Sequence, residues 1–502
     1  MLFNSFQFMI FFPIVIFIYF IIPKKIRYIW LLMSSYYFYM CWNAKYAVLL
    51  FFSTFITWIS GILMDEVEKK KWELSRIKQT KKWCLGGSIA LNLSVLLFFK
   101  YFYFITDNIN YILEKLNLKL VSPGLDIVLP VGISFYIFQA LGYAIDVYRK
   151  DIKAERNLFR YALFVSFFPQ LVAGPIERSK NLLSQMREIE NLELWNVGRI
   201  QRGIHQMLWG YFQKLVIADR AAIVVNQVFQ SYKEYGFVEL FTVTLLFSVQ
   251  IYCDFGGYSN LAKGAARVMG FDLMDNFRQP YFAENIKDFW RRWHISLTSW
   301  FTDYLYIPLG GNRKGKLRQY INTMAVFLCS GIWHGANWTY IVWGGIHGIF
   351  QIIGDLRNQL IRKQDEIQIG ETGTIGMVKQ YISKAARVGF TFGMVSFAWI
   401  FFRADTIGQA IGFIGQMFRY RRRHSFTDMG LDTANWIILL LAIFILFLVD
   451  YLHERHKQIR ELLYTKNIVI RWAVYLCALW FILLFGVYGA GYDASQFIYF
   501  QF

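Results

Sequence analysis

The sequence predicts an all-α polytopic membrane protein. Three observations carry that prediction. Of 502 residues, 56% are hydrophobic, 19% aromatic and only 17% charged, against roughly 25% charged in soluble domains. Apolar runs long enough to cross a bilayer recur along the chain. The basic residues, which give a net charge of +19, gather mostly in short loops between those runs, as topology requires. No nucleic-acid reader motif accompanies the charge, so no nucleic-acid partner is expected.

The first apolar run, Phe6 to Ile22, has no charged region ahead of it and no small-residue cleavage site. It is expected to be a retained helix. It stops at the basic Pro23-Lys24-Lys25-Ile26-Arg27. Tyr28 to Trp42 and Ala47 to Leu63 follow, separated by the polar turn Asn43-Ala44-Lys45. The loop Asp65 to Lys82 holds seven lysines and arginines, among them Lys69, Lys70, Lys71 and Arg76. The positive-inside rule puts both basic loops in the cytoplasm and the N-terminus outside. Cys84 to Ile105 then crosses outward, Thr106 to Asp126 is a loop, and Ile127 to Val147 returns to a basic cytoplasmic loop, Tyr148 to Arg156.

Breakers interrupt the middle of the chain. Pro169, Gly174 and Pro175 cut the run from Leu158, which fits backbone that is buried in protein or lines a cavity. Gly203 to Ala218 is short, and Phe237 to Gly257 is a full span. Tyr258 to Tyr320 mixes charges with aromatics and reads as amphipathic or re-entrant helices at the cytoplasmic interface. Ile321 to Phe350 is apolar and glycine-rich, Asp355 to Arg387 is a basic loop, and Val388 to Phe402, Asn435 to Val449 and Ile468 to Val487 are further runs. The total is roughly ten to twelve membrane segments. The loop Asp450 to Lys466 is cytoplasmic by charge, which leaves the tail outside. Arg419, Arg421, Arg422 and Arg423 conflict with this parity. No internal repeat is evident. The five cysteines, Cys41, Cys84, Cys253, Cys329 and Cys477, have no CxxC spacing and read as small buried hydrophobes, with no metal site.

Of seven histidines, His424, His453 and His456 read as solvated loop residues, and His205 and His347 as hydrogen-bonded packing residues. His294 follows Trp290-Arg291-Arg292-Trp293. An interfacial helix explains those tryptophans and arginines, but not the histidine. His334 lies in Gly331-Ile332-Trp333-His334-Gly335, with no charged neighbour within ten residues. Two readings stand for it. A neutral imidazole is suited to act as general base on a hydroxyl; equally, it could hold one hydrogen bond across a helix interface.

The block Asp288 to Gly348 strongly resembles the membrane-bound O-acyltransferase family, in its bacterial branch that O-acetylates exported polysaccharides such as alginate. The residues that carry the resemblance are Trp290 to Leu297, Asp303 to Arg313, Gly331 to Trp338 and Trp343 to Gly348, with Leu171 to Ile176 and Tyr252 to Ser259 upstream. Together these ordered blocks are specific where a lone Trp-His-Gly is weak. The resemblance implies one membrane domain over residues 1–502, a catalytic core block at 258–350, and helices around a central tunnel. It implies catalytic roles for His334 and for His294, at a funnel mouth. Trp293, Trp333, Asn337, Asp303 and Arg313, with Arg318, would contact substrate or shape the donor side. It further implies a cytoplasmic thioester donor, acetyl-coenzyme A or an acyl carrier, and no bound cofactor. The expected partner is an extracytoplasmic esterase-like acetyltransferase, in a plasma membrane whose lipids surround the protein.

The tail 488–502 ends Phe497-Ile498-Tyr499-Phe500-Gln501-Phe502. It serves as an aromatic interfacial anchor, or it resembles the acyl-carrying end of the small peptide of the D-alanylation system. In the second reading Tyr499 presents its hydroxyl to His334 as a transient acyl carrier. Two other functions stay open: D-alanyl transfer to teichoic acid, and a lipid or glycan transporter, for which the inverted repeats that would support it are absent.

Overall fold

The computed structural model describes residues 1–122, 124–365, 374–419, 425–457, 459–488 and 498, and every regular element among them is helical. Tyr499 lies outside the described residues, as do Arg421, Arg422, Arg423 and His424. Among the described residues, six helices are long and apolar enough to cross a membrane. They are Ala44–Glu68, Leu74–Lys115, Phe237–Met269, Lys379–Arg403, Thr433–Glu454 and Ile468–Phe485. Other apolar runs fold as shorter or broken helices. Phe6–Ile21 has 16 residues. The run from Leu158 divides into Leu158–Ser166 and Phe168–Leu171. Pro169 sits in the first turn of the second piece, where its missing N–H costs no hydrogen bond.

Three boundaries differ from the sequence reading. The helix from Phe102 continues to Lys115 through the stretch read as a loop. The run from Ile127 becomes helical only at Ile133, after Pro130 and a left-handed Gly132. Phe237–Met269 runs through Gly256-Gly257 without a break. Those glycines allow close packing in place of a stop: a Cβ on Gly257 would lie 2.9 Å from the Gly210 carbonyl oxygen.

The chain forms two compact units. The first comprises Met1–Met207 and Tyr258–Met274, with Ile498. At its centre Ala47–Glu68 packs on Leu74–Leu96 and Ile133–Arg149. Its buried stripe repeats at helical spacing and is rich in small and hydroxyl residues: Leu50, Ser53, Thr54, Thr57, Ser60, Gly61, Met64 and Val67. Such residues let helices approach closely and hydrogen-bond across the seam. Ser53 bonds Asn92, and Thr57 bonds the Tyr161 hydroxyl at 2.7 Å.

The second unit comprises Leu208–Gly257 and the described part of Asp275–Asp493. Its site-forming helices are α1 (Phe237–Met269, whose first 21 residues lie in this unit), α2 (Ile286–Arg292), α3 (Ile295–Phe301), α4 (Lys316–His334), α5 (Trp338–Asp365), α6 (Thr374–Arg403) and α7 (Thr433–Glu454). α4 and α5 pack closely as a hairpin, and glycine makes it possible. A Cβ on Gly331 would meet the Tyr340 carbonyl oxygen at 2.3 Å, and one on Gly344 the Phe327 carbonyl oxygen at 2.3 Å. In the π-helical turn Phe212–Ala218, Lys214 is buried between Asp254 at 2.5 Å and Asp219 at 2.8 Å. A charge without counterions would be costly at such a place.

Candidate active site

The sequence places His294 between two short helices, and the local backbone fixes it there. It adopts a left-handed conformation, φ 43° and ψ 51°, at the start of α3. That region is uncommon for a residue with a side chain, and such outliers concentrate at functional sites. The flanks are held on both sides. Arg278 N–H donates to the Arg292 carbonyl at 3.0 Å, and Ile295 N–H to the Asn276 carbonyl at 2.9 Å. The Asn276 side chain accepts from the Ser296 hydroxyl at 2.6 Å. Arg292 closes α2 by pairing with Asp288 at 3.0 Å and with Glu454 of α7 at 2.6 Å.

His334 is the last residue of α4. Asn337 starts the next helix: its side-chain oxygen accepts the Thr339 N–H at 3.0 Å, and its amide donates to the Asp405 carbonyl at 2.8 Å. The α4–α5 turn is therefore pinned directly after the histidine. His294 and His334 are both buried, at 0% and 3% exposure, with ring centroids 6.2 Å apart.

An aromatic shell encloses the pair. Trp333 stands 5.0 Å from His334 and 5.9 Å from His294. Trp343 of α5 and Phe402 of α6 stand 5.0 and 5.4 Å from His334. Phe255 of α1 stands 4.7 Å from His294. Trp293 packs in the next layer, 5.1 Å from Trp399, which stacks on Trp343 at 5.5 Å. Within apolar walls of this kind, charge that develops during a reaction is weakly screened.

Four residues singled out from sequence thus converge: His294, His334, Trp293 and Trp333. Asp303 and Arg313 occupy a different place. Asp303 lies in the π-helical turn Thr302–Tyr306, and Arg313 is exposed on the following turn. The Asn322 side chain of α4 ties that segment down by donating to the Gly311 carbonyl at 2.9 Å.

Sequence reasoning gave His347 a packing role, placed Trp343 and Phe255 in recognised blocks without a site role, and passed over Trp399 and Phe402. His347 does accept a hydrogen bond, from Trp290 at 3.3 Å, and it also lies 5.2 Å from Trp343. Its four-residue spacing from Trp343 was a usable signal, since i and i+4 share a helix face. Nothing local marks Trp399 or Phe402, which reach the site by tertiary packing.

The stretch matched by a known family contains every block named above. The model of the MBOAT, membrane-bound O-acyltransferase, family matches residues 148–384. The chain is 35% identical over 464 residues to a Pseudomonas syringae protein named "Probable alginate O-acetylase", covering 91% of this chain and 83% of the relative. It is 34% identical over 407 residues to the peptidoglycan O-acetyltransferase of Helicobacter pylori, covering 76% of this chain and 72% of that one. To the teichoic acid D-alanyltransferase of Streptococcus thermophilus it is 29% identical over 286 residues, covering 54% and 68%.

Proposed function

The chain belongs to the membrane-bound O-acyltransferase family, and from that premise we propose that it takes an acetyl group from a thioester donor at the cytoplasmic face. The acetyl group then passes to a hydroxyl on the far side of the membrane, for O-acetylation of an exported or cell-wall polysaccharide. The chain is an O-acyltransferase with apolar helices suited to a membrane. The reading of acetyl as the group moved draws support from the two relatives named as O-acetylating enzymes, which match more of this chain, at higher identity, than the D-alanyltransferase does.

One observation carries the mechanism: His334 is buried beside His294 within a single aromatic shell. In this reading His334 removes the proton as the acceptor oxygen attacks the thioester carbonyl. It returns the proton to the departing thiolate, so that an ester and a thiol leave. General-base work of this kind is worth about 100- to 10,000-fold in rate. His294 orients the acceptor or donor next to it. Tyr499 serves as the first acceptor, giving an acetyl-tyrosine that an extracytoplasmic esterase-like transferase unloads. The plasma membrane, with both termini outside, is the setting this reading requires.

The test is to supply radiolabelled acetyl-coenzyme A to purified protein and follow label into protein and acceptor. Loss of label in His334→Ala, and loss of protein-bound label in Tyr499→Phe, is expected. Undiminished transfer in both variants overturns the scheme. Turnover of a D-alanyl carrier thioester in preference to acetyl donors would move the chain to the teichoic acid reading.

A further inference from the structure

In the first unit, the turn between helices Ala47–Glu68 and Leu74–Leu96 carries more positive charge than its carboxylates balance. Its acids are already engaged. Asp65 and Glu66 pair with Lys69 and Arg156. Glu68 pairs with Lys81 and Lys150. Glu73 accepts from the Ser75 hydroxyl at 3.3 Å. Lys70, Lys71, Arg76, Lys78 and Lys82 remain, all exposed. Among the described residues none of these five pairs with a carboxylate.

The cations are interleaved with apolar side chains. Lys70 Nζ and Arg76 Cζ each stand 4.4 Å from the centre of the Trp72 ring, so one indole holds two of them in place. On the helix, Ile77, Lys81, Cys84 and Ser88 recur at helical spacing, and Lys81 and Ser88 mark that face as the buried one. Leu74, Lys78 and Lys82 recur at intervals of four and form a separate stripe. Leu74 is 67% exposed and Trp83, next to Lys82, 72%.

The chain itself sets the depth of this patch. Leu74–Lys115 is one of the helices long and apolar enough to cross a bilayer, with 42 residues. At 1.5 Å per residue it is about 63 Å long, roughly twice the ~30 Å of hydrocarbon. Its apolar run opens at Trp83, directly after Lys81-Lys82. The turns from Leu74 to Lys82 therefore stand at headgroup level, with Trp83 at the boundary that tryptophan favours.

We infer that this patch is a docking surface for the headgroups of anionic phospholipids. Charge selects the sign of the partner, because the five cations have no carboxylate of their own. Continuity selects lipid: the cations lead directly into the bilayer-crossing part of the same helix, which brings the phosphates of the adjoining leaflet within reach of their side chains. Leu74 and Trp83 supply the apolar contact beneath. The inference is independent of the reaction catalysed.

The experiment is hydrogen exchange on the full-length protein in nanodiscs of phosphatidylcholine alone and of phosphatidylcholine with phosphatidylglycerol in equal parts. Lys71, Trp72 and Glu73 lie outside regular structure, and the first turn of the helix follows them. Phosphatidylglycerol should slow exchange over this stretch by on the order of 10-fold or more. Salt at about 1 M, where screening acts within about 3 Å, should remove the slowing. Lys78→Gln combined with Lys82→Gln should remove most of it, at about 5-fold per cation lost. Unchanged exchange in Ala47–Glu68 shows that the variant is folded, and if it is not, the wild-type lipid and salt series decides alone. Equal exchange in the two lipids overturns the inference. So does slowing of the same size by soluble glycerol 3-phosphate in phosphatidylcholine nanodiscs, and so does slowing that persists in the folded variant. Slowing by an acidic carrier protein but not by phosphatidylglycerol also overturns it and gives the patch to a protein partner.

Discussion

His294 and His334 stand with ring centroids 6.2 Å apart, planes inclined at 63°, one at the start of a helix and the other at the end of a helix. The two reach this position by different means. His334 is delivered by a regular helix and a pinned turn, His294 by a left-handed backbone stapled to Asn276. Their sensitivities to substitution should therefore differ in kind.

At His294 the backbone itself is under test. His294→Asn keeps a residue type that tolerates left-handed φ and should fold with a wild-type melting temperature while losing activity. His294→Val should lower stability as well, by about 1–3 kcal/mol. Thermal denaturation in detergent, run beside the transfer assay, separates the two effects.

The α4–α5 hairpin predicts a contrast between adjacent glycines. Gly344→Ala drives a Cβ to 2.3 Å from backbone and should destabilise strongly, whereas at Gly345 the nearest atom is a Leu328 methyl carbon at 3.7 Å. Gly345→Ala should be tolerated, and the gain in helix propensity is worth up to about 1 kcal/mol. Melting temperatures of the two variants decide it; equal loss in both would mean the hairpin is looser than described.

Lys214 is the buried counterion of Asp219 and Asp254. Lys214→Met leaves two carboxylates buried without it and should cost about 3–5 kcal/mol. Adding Asp254→Asn should recover part of that loss. Failure of the second substitution to help would show that the three groups are not coupled.

Glu177 lies in the first unit, outside the six apolar spans, at 2% exposure. Burial pushes its carboxyl up to about 7, against bonds from the Met274 N–H and the Asn181 side chain that oppose the rise. A carboxyl raised in the folded state binds its proton more tightly there than in the unfolded chain. Its contribution is fully present below the unfolded value near 4.5 and is lost as pH rises through about 7. The melting temperature should therefore decline between pH 5 and 8, and Glu177→Gln should flatten that decline.

The class of protein was legible in composition, and the family in its ordered motifs. Apolar runs located the long helices because bilayer thickness sets their length. They fared less well at Gly256-Gly257, where glycine serves close packing, and at Ile127, where Pro130 and Gly132 delay the helix. His334 was readable as a histidine in apolar surroundings, and His294 as one that its tryptophan- and arginine-rich helix left unexplained. Their walls were not: Phe255, Trp399 and Phe402 come from helices distant in sequence, and only packing brings them together. Trp343 and His347 were visible in part, since both belong to a recognisable block.

The central claim is that an acetyl group crosses the membrane at His334. The direct measurement places the protein in oriented proteoliposomes, with radiolabelled acetyl-coenzyme A confined to the face that is cytoplasmic in the cell and a hydroxyl acceptor confined to the other. Label should accumulate on the acceptor, and His334→Ala should reduce the rate by about 100- to 10,000-fold. Label reaching the acceptor at the wild-type rate in His334→Ala protein would contradict the account.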